Sequence, residues 1–393
     1  MSNAADGTVQ HGNVTELRPR SRAGLVLTGG GARAAFQVGV VKAVRDILGN
    51  PARNPFPILA GTSAGAINAA TLAVYADNFN RAVGNLLEVW ENMHVDHIYR
   101  ADFPSIVKSG ARWLSSLMLI SRRNPVSLLD NAPLADMLAR TLPFERIQDN
   151  IDGGSLYAVS VTASGYTSGQ SVSFFQGGSG AEGWERNQRI GAAVTLKLEY
   201  LLASASLPFI FPAVKVHREY FGDGSMRQIA PISPALHLGA DRVLVVGTGR
   251  QTLDTARSRS NIYPSLAQIA GHALNSIFLD SLSVDLERLE RINRTVSMIP
   301  PERLSEGKVL LRPIKVLFIS PSQPIERIAA RFLHELPRSV RLLLRPTGAL
   351  NRSGSNLASY LLFEQSFCRA LVDLGYQDTI AREKDVKEFF ETP

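Results

Sequence analysis

Two kinds of apolar pattern follow one another along this chain. Gly24-Leu25-Val26-Leu27-Thr28 and Phe56-Pro57-Ile58-Leu59-Ala60 are short apolar runs and read as buried strands. After each, the apolar residues switch to helical spacing. Phe36, Val40, Val41, Val44 and Leu48 predict a helix from about Ala34 to the Gly49-Asn50-Pro51 stop. Ala64 to Ala76 is rich in Ala and Leu, lacks proline, and predicts a second helix.

The alternation continues. A helical pattern with Leu86, Leu87 and Trp90 occupies residues 80–98, and a short helix is predicted over Asn131–Leu142. Leu156–Thr162 and Ser171–Phe175 read as strands, and Leu201–Ala205 as a helix stopped by Pro208. Arg242–Thr248 and Ile314–Ile319 are further strands, separated by one long amphipathic helix over Leu266–Ile292. Strands alternating with helices predict an α/β fold, a three-layer α/β/α sandwich with a mainly parallel central sheet. A polar leader (1–22, with Met1-Ser2-Asn3-Ala4 reading as a vector-derived scar) is expected to be disordered. Residues 23–320 are expected to form the main α/β domain and 321–393 a mostly helical segment packed on it.

Two stretches carry open alternatives. Trp113–Ile120, followed by Arg122-Arg123, is either a core helix with a basic end or a lid touching membrane. Arg331, Arg338, Arg341 and Arg345 fall on one face of a predicted helix, with Leu333, Leu336, Val340, Leu343 and Leu344 mostly on the other. That helix either covers the core or lies on an anionic membrane.

Composition narrows the function classes. The chain of 393 residues has a single cysteine, Cys368, so no intramolecular disulfide forms. The seven histidines are scattered, and no metal site or cofactor is expected. Net charge is +7, and only 8 of the 42 basic residues are lysine, which suits phosphate contact or a GC-rich genome. No basic run interleaves with aromatics, so a nucleic-acid partner is not expected. Without a signal peptide or a run of about 20 apolar residues, a cytoplasmic or peripheral membrane location is expected.

The chemistry centres on Gly61-Thr62-Ser63-Ala64-Gly65, a G-x-S-x-G spacing between a predicted strand and a predicted helix. A serine held in such a bend, beside a helix N-terminus, is placed for acyl transfer; the alternative is a plain turn. Upstream, Gly29-Gly30-Gly31-Ala32-Arg33 joins the first strand to its helix, a recipe for binding an anion on backbone N–H groups. A dinucleotide site there would want an acidic residue at the end of the next strand. That strand ends in Gly61-Thr62-Ser63, which favours an oxyanion hole. A serine nucleophile needs a base, and His237 and His272 both follow Asp223 in the order of a Ser-His-Asp esterase. Neither histidine sits in a glycine-flanked loop.

Three blocks, Gly29–Arg33, Gly61–Gly65 and Asp223-Gly224-Ser225, occur in order, with Ala203–Pro212 before the third. In these the chain resembles a bacterial patatin-like phospholipase, over roughly residues 23–250. The resemblance implies a Ser–Asp pair without histidine, with Ser63 as nucleophile and Asp223 as its base. It implies an oxyanion hole from Gly29, Gly30, Gly31 and Ala32 with Arg33 beside it, supported by Gly61, Gly65 and Gly224. The implied activity is phospholipase A-type cleavage of a phospholipid or other lipid ester, with peripheral membrane contact and no metal. Ala34 and Ser225 depart from the family pattern, which has glycine and a Gly or Ala there. A non-catalytic lipid-binding or regulatory protein is the competing class.

Overall fold

The computed structural model describes residues 21–102, 104, 127–250, 263–300, 312–351 and 354–391. The leader through residue 20 and the apolar stretch 113–123 lie outside the described residues.

Ten strands form one mixed sheet among these residues. In chain order they are β1 (Ala23–Leu27), β2 (Ile58–Thr62), β3 (Ala158–Gly165), β4 (Ser171–Gly177), β5 (Trp184–Arg186), β6 (Arg189–Ala193), β7 (Val214–Val216), β8 (Glu219–Asp223), β9 (Arg242–Val246) and β10 (Lys315–Ile319). The main path runs β10-β9-β1-β2-β3-β4-β6-β5, and β8 pairs with both β3 and β7. From β10 to β3 every neighbour is parallel, so the predicted parallel centre is borne out. β4 and β8 join β3 antiparallel, which makes the remainder mixed.

The central strands are apolar throughout because helices cover both faces. Leu25 and Leu27 of β1 belong to the larger core with the helices Ala35–Ile47 and Ala64–Val74. Val26, Ile58 and Ala60 point the other way, toward Ile232, Ala235 and Leu282. This is the expected α/β/α layering.

The C-terminal segment joins the larger core. Its helix Gln365–Ile380 crosses Ala35–Ile47 where two glycines meet the facing helix. A Cβ on Gly39 would strike the backbone of Val372, and one on Gly375 the backbone of Phe36.

Two predicted helices are corrected. The long helix over 266–292 runs from Leu266 to Val296, but residues Ser276–Asp280 form a π turn between two α-helical stretches. The single basic helix over 331–345 does not form. Pro337 forces Leu336 out of the helical region, so the helix Ile325–Phe332 and the turn Leu333–Glu335 are followed by a separate helix, Arg338–Leu344. Leu333, Leu336, Val340 and Leu344 are buried, while Arg331, Arg338 and Arg345 are exposed.

Candidate active site

β2 ends at Thr62, the helix Ala64–Val74 begins at Ala64, and Ser63 is the one residue of the bend. It takes φ 56°, a backbone that L-residues with a Cβ rarely adopt. The strain is held by what surrounds it. Gly65 lets the helix approach β1 so closely that any Cβ there would strike the carbonyls of Leu27 and Thr28. Gly61 and Gly224 sit in similarly crowded places against Ala66 and Thr162.

The sheet then closes a gap of 160 residues. β8 pairs with the end of β3, and β3 pairs with β2, so Asp223 at the tip of β8 arrives beside the β2 bend. The Ser63 hydroxyl donates to Asp223 Oδ2 at 2.5 Å, and Oδ1 accepts the N–H of Ser225 at 2.9 Å. Asp223 is fully buried and Ser63 is 5% exposed. Burial raises the Asp223 pKa to about 6, although hydrogen bonds from Ser63 and Ser225 pull the other way.

One block frames both residues. Ser204, at the end of the helix Leu198–Ser204, accepts the Ser63 N–H at 2.8 Å and donates to the Thr162 carbonyl at 2.6 Å. Two residues on, the Ser206 carbonyl accepts the Asp223 N–H at 2.8 Å. Ser204 and Ser206 lie in the Ala203–Pro212 stretch that the sequence singled out, but no periodicity marks the hydroxyl of Ser204 as the one that turns inward.

The glycine turn comes to the same place. Gly31, with φ 55°, lines the cavity with Ser63 and Asp223, and its Cα faces the Tyr360 carbonyl too closely for any side chain. Thr248 donates to the Gly29 carbonyl at 2.6 Å, and Gln37 to that of Thr28 at 2.7 Å. The Arg33 N–H bonds the Gly30 carbonyl at 3.1 Å and closes the turn Gly31–Ala34, which contains Ala32.

The Arg33 side chain packs on the C-terminal part and is not among the residues lining the Ser63 cavity. It is 2% exposed, and its guanidinium lies over the Tyr360 ring at 3.9 Å. It donates to Ser359 Oγ at 2.8 Å, Asn275 Oδ1 at 3.3 Å and the Asn356 carbonyl at 3.2 Å, and also to Asn356 Oδ1. These partners lie 242 or more residues along the chain, out of reach of any local reading.

The cavity over Ser63 is narrow and apolar, about 50 Å³. Ile67, Trp90, Leu134 and Phe211 line it, and the C-terminal part adds Tyr360 and Phe363. Phe278, on the π turn, stacks on Tyr360 with centroids 5.1 Å apart. Neither histidine shares this cavity. His237 stacks on Trp184 at 4.8 Å, where burial, Arg186 and Arg189 lower its pKa to about 4. His272 is exposed on the helix Leu266–Asn275.

A buried serine in a strained strand-to-helix bend, a buried carboxylate on its hydroxyl and a glycine turn beside them sit on a layered α/β sheet. The patatin-like phospholipase model matches residues 25–236, which contain all three, and the chain belongs to that family. Membership supports lipid hydrolase activity. Two solved structures are similar at low identity. VipD from Legionella pneumophila is 14% identical, with 87% of this chain and 67% of that chain covered and a TM-score of 0.32. Human GIVD cytosolic phospholipase A2, in complex with methyl gamma-linolenyl fluorophosphonate, is 13% identical, with 94% and 60% covered and a TM-score of 0.37. The chain thus spans about two thirds or less of the length of these structures. No curated protein matches it.

Proposed function

We propose that the chain is a phospholipase A-type lipid acyl hydrolase that works through an acyl-enzyme on Ser63, with Asp223 as the base. The observation that carries this reading is the 2.5 Å hydrogen bond from the Ser63 hydroxyl to the buried Asp223 carboxylate. A carboxylate with a pKa of about 6 is a far better proton acceptor near neutral pH than one of ordinary acidity.

In the proposed reaction Ser63 Oγ attacks the ester carbonyl carbon while its proton passes to Asp223 Oδ2. The carbonyl oxygen becomes an oxyanion and rests on backbone N–H groups of the Gly29–Ala32 turn, each worth about 3 kcal/mol. Collapse breaks the C–O ester bond, and the leaving alcohol takes the proton from Asp223. Water then attacks the acyl-Ser63 ester, giving its proton to Asp223, and Ser63 Oγ leaves and recovers that proton as the fatty acid departs. No histidine enters, in keeping with the placement of His237 and His272 outside the cavity.

The apolar lining of the cavity suits the first part of an acyl chain. Peripheral contact with a lipid surface is part of the proposal. It is supported by Phe209, 79% exposed on the loop whose Leu207 and Phe211 line the cavity. Among the described residues no helix is long and apolar enough to cross a membrane. The helical segment 321–393 is read as one folding unit with the catalytic part, since Tyr360 and Phe363 complete the cavity wall.

The test is hydrolysis of a short-chain phosphatidylcholine, dihexanoyl or dioctanoyl, with released fatty acid and lysolipid measured by mass spectrometry. Ser63→Ala and Asp223→Asn are each expected to lower the rate about 10²–10⁴-fold or more. A rate like that of the unaltered protein in either variant removes the pair from the mechanism.

A further inference from the structure

The cavity over Ser63 is small for a lipid chain. Its 50 Å³ is room for about four water-sized groups. A second, open groove of about 520 Å³ abuts it. Ile67, Val89, Trp90 and Met137 line both spaces and form the wall between them. Beyond the wall the groove is lined by Leu86, Leu138 and Leu142 together with polar side chains, among them Arg81, Glu88 and Arg140.

The wall is assembled from three helices. Ile67 stands one helical turn after Ser63, Val89 and Trp90 come from Phe79–Glu91, and Met137 from Ala132–Thr141. Trp90 is its fixed post. The indole N–H donates to Asn68 Oδ1 at 2.8 Å, and Asn68 in turn donates to Gln37 Oε1 at 3.0 Å. The Trp90 ring also stacks on Phe363 at 6.4 Å. Ile67, Val89 and Met137 are only half-buried and have no such anchor. Met137 is unbranched and has the most rotatable bonds of the three, so it is the member that yields.

We propose that this wall sets acyl-chain length, with Met137 as the principal determinant. The chain on Ser63 lies along the narrow cavity with its methyl end against the wall. The groove beyond is an extension that longer chains reach only when the wall is cut back. The proposal rests on the reading that Ser63 carries the acyl group.

The test is the chain-length profile of kcat/KM on p-nitrophenyl esters from acetyl to palmitoyl. The unaltered protein is expected to rise and then fall within the short-to-medium chains. In Met137→Ala, and separately in Val89→Ala, the fall moves to longer chains. Each two methylenes newly buried gain about tenfold. Far-ultraviolet circular dichroism and the urea midpoint are read alongside and report that the variants fold. Adding Thr141→Trp, which intrudes on the groove side alone, cuts back the gain in Met137→Ala and leaves the profile of the single Thr141→Trp protein unchanged. If both alanine variants keep their fold and the fall stays at the same chain length, the wall does not set length. If Ser63→Ala hydrolyses the series at full rate, the acyl-serine reading itself fails and takes the wall with it.

Discussion

The Ser204 hydroxyl stands between Ser63 and Thr162, accepting the N–H of the first at 2.8 Å and donating to the carbonyl of the second at 2.6 Å. Ser63 therefore does not keep its bend by itself, and its own amide is engaged. In Ser204→Ala the Ser63 N–H is left buried without its partner, at a cost of about 1–3 kcal/mol. We expect lower stability in urea and about a tenfold loss in kcat with little change in KM. Full activity would mean the bend is held by the glycine packing alone.

The Asp223 carboxyl gives the pH profile its sign. Its pKa is raised to about 6, above the roughly 3.9 of an unfolded aspartate. Proposed catalysis needs the ionised form, so kcat/KM is expected to fall about tenfold per pH unit below about pH 6. Folding goes the other way. The native state holds the proton more tightly, so this stabilisation is full below about pH 4 and is lost as pH rises through about 6. Asp223→Asn, which never ionises, should be more stable than the unaltered protein at pH 8 by about 2 kcal/mol in urea titrations. Equal stability at pH 5 and 8 would contradict the shift.

Gly31 carries φ 55° and faces the Tyr360 carbonyl. Gly31→Ala adds about 1–2 kcal/mol of backbone strain and a clash with that carbonyl. The turn is expected to shift, lowering kcat by more than tenfold while the far-ultraviolet circular dichroism is kept. Unchanged kcat would remove this turn from the proposed oxyanion hole.

Arg33 is bound up with Asn275, Asn356, Ser359 and Tyr360 rather than presented to a lipid phosphate. Lysine cannot reproduce the fork or the stacking, so Arg33→Lys should cost about 3 kcal/mol of stability. The ratio of phospholipid to neutral ester hydrolysis should stay the same. A selective loss on phospholipid would show that the guanidinium meets the head group.

Much of this site was legible because its chemistry lies on short local signals. A strand, a glycine turn and a helix can be read within twenty residues, as at Gly29–Arg33 and Gly61–Gly65. The strand that carries Asp223 was less visible. Glu219-Tyr220-Phe221-Gly222 reads as an aromatic run before a turn, because half of β8 pairs only with the short β7 and stays partly exposed. The sequence places Arg33 beside the oxyanion hole, but the residues that anchor its side chain lie more than two hundred positions away. Such contacts leave no periodicity. The basic stretch 331–345 failed for the opposite reason, since a favourable face pattern outweighed Pro337 in the reading but not in the fold.

The central claim is that Asp223, and no histidine, activates Ser63. The direct measurement is the rate at which a short-chain alkyl fluorophosphonate modifies the protein, with the adduct mapped by mass spectrometry. We predict a single adduct on Ser63 that forms about 10²–10⁴-fold more slowly in Asp223→Asn and at an unchanged rate in His237→Ala and His272→Ala. An adduct on another residue, or a rate that survives Asp223→Asn but collapses with either histidine, would contradict the account.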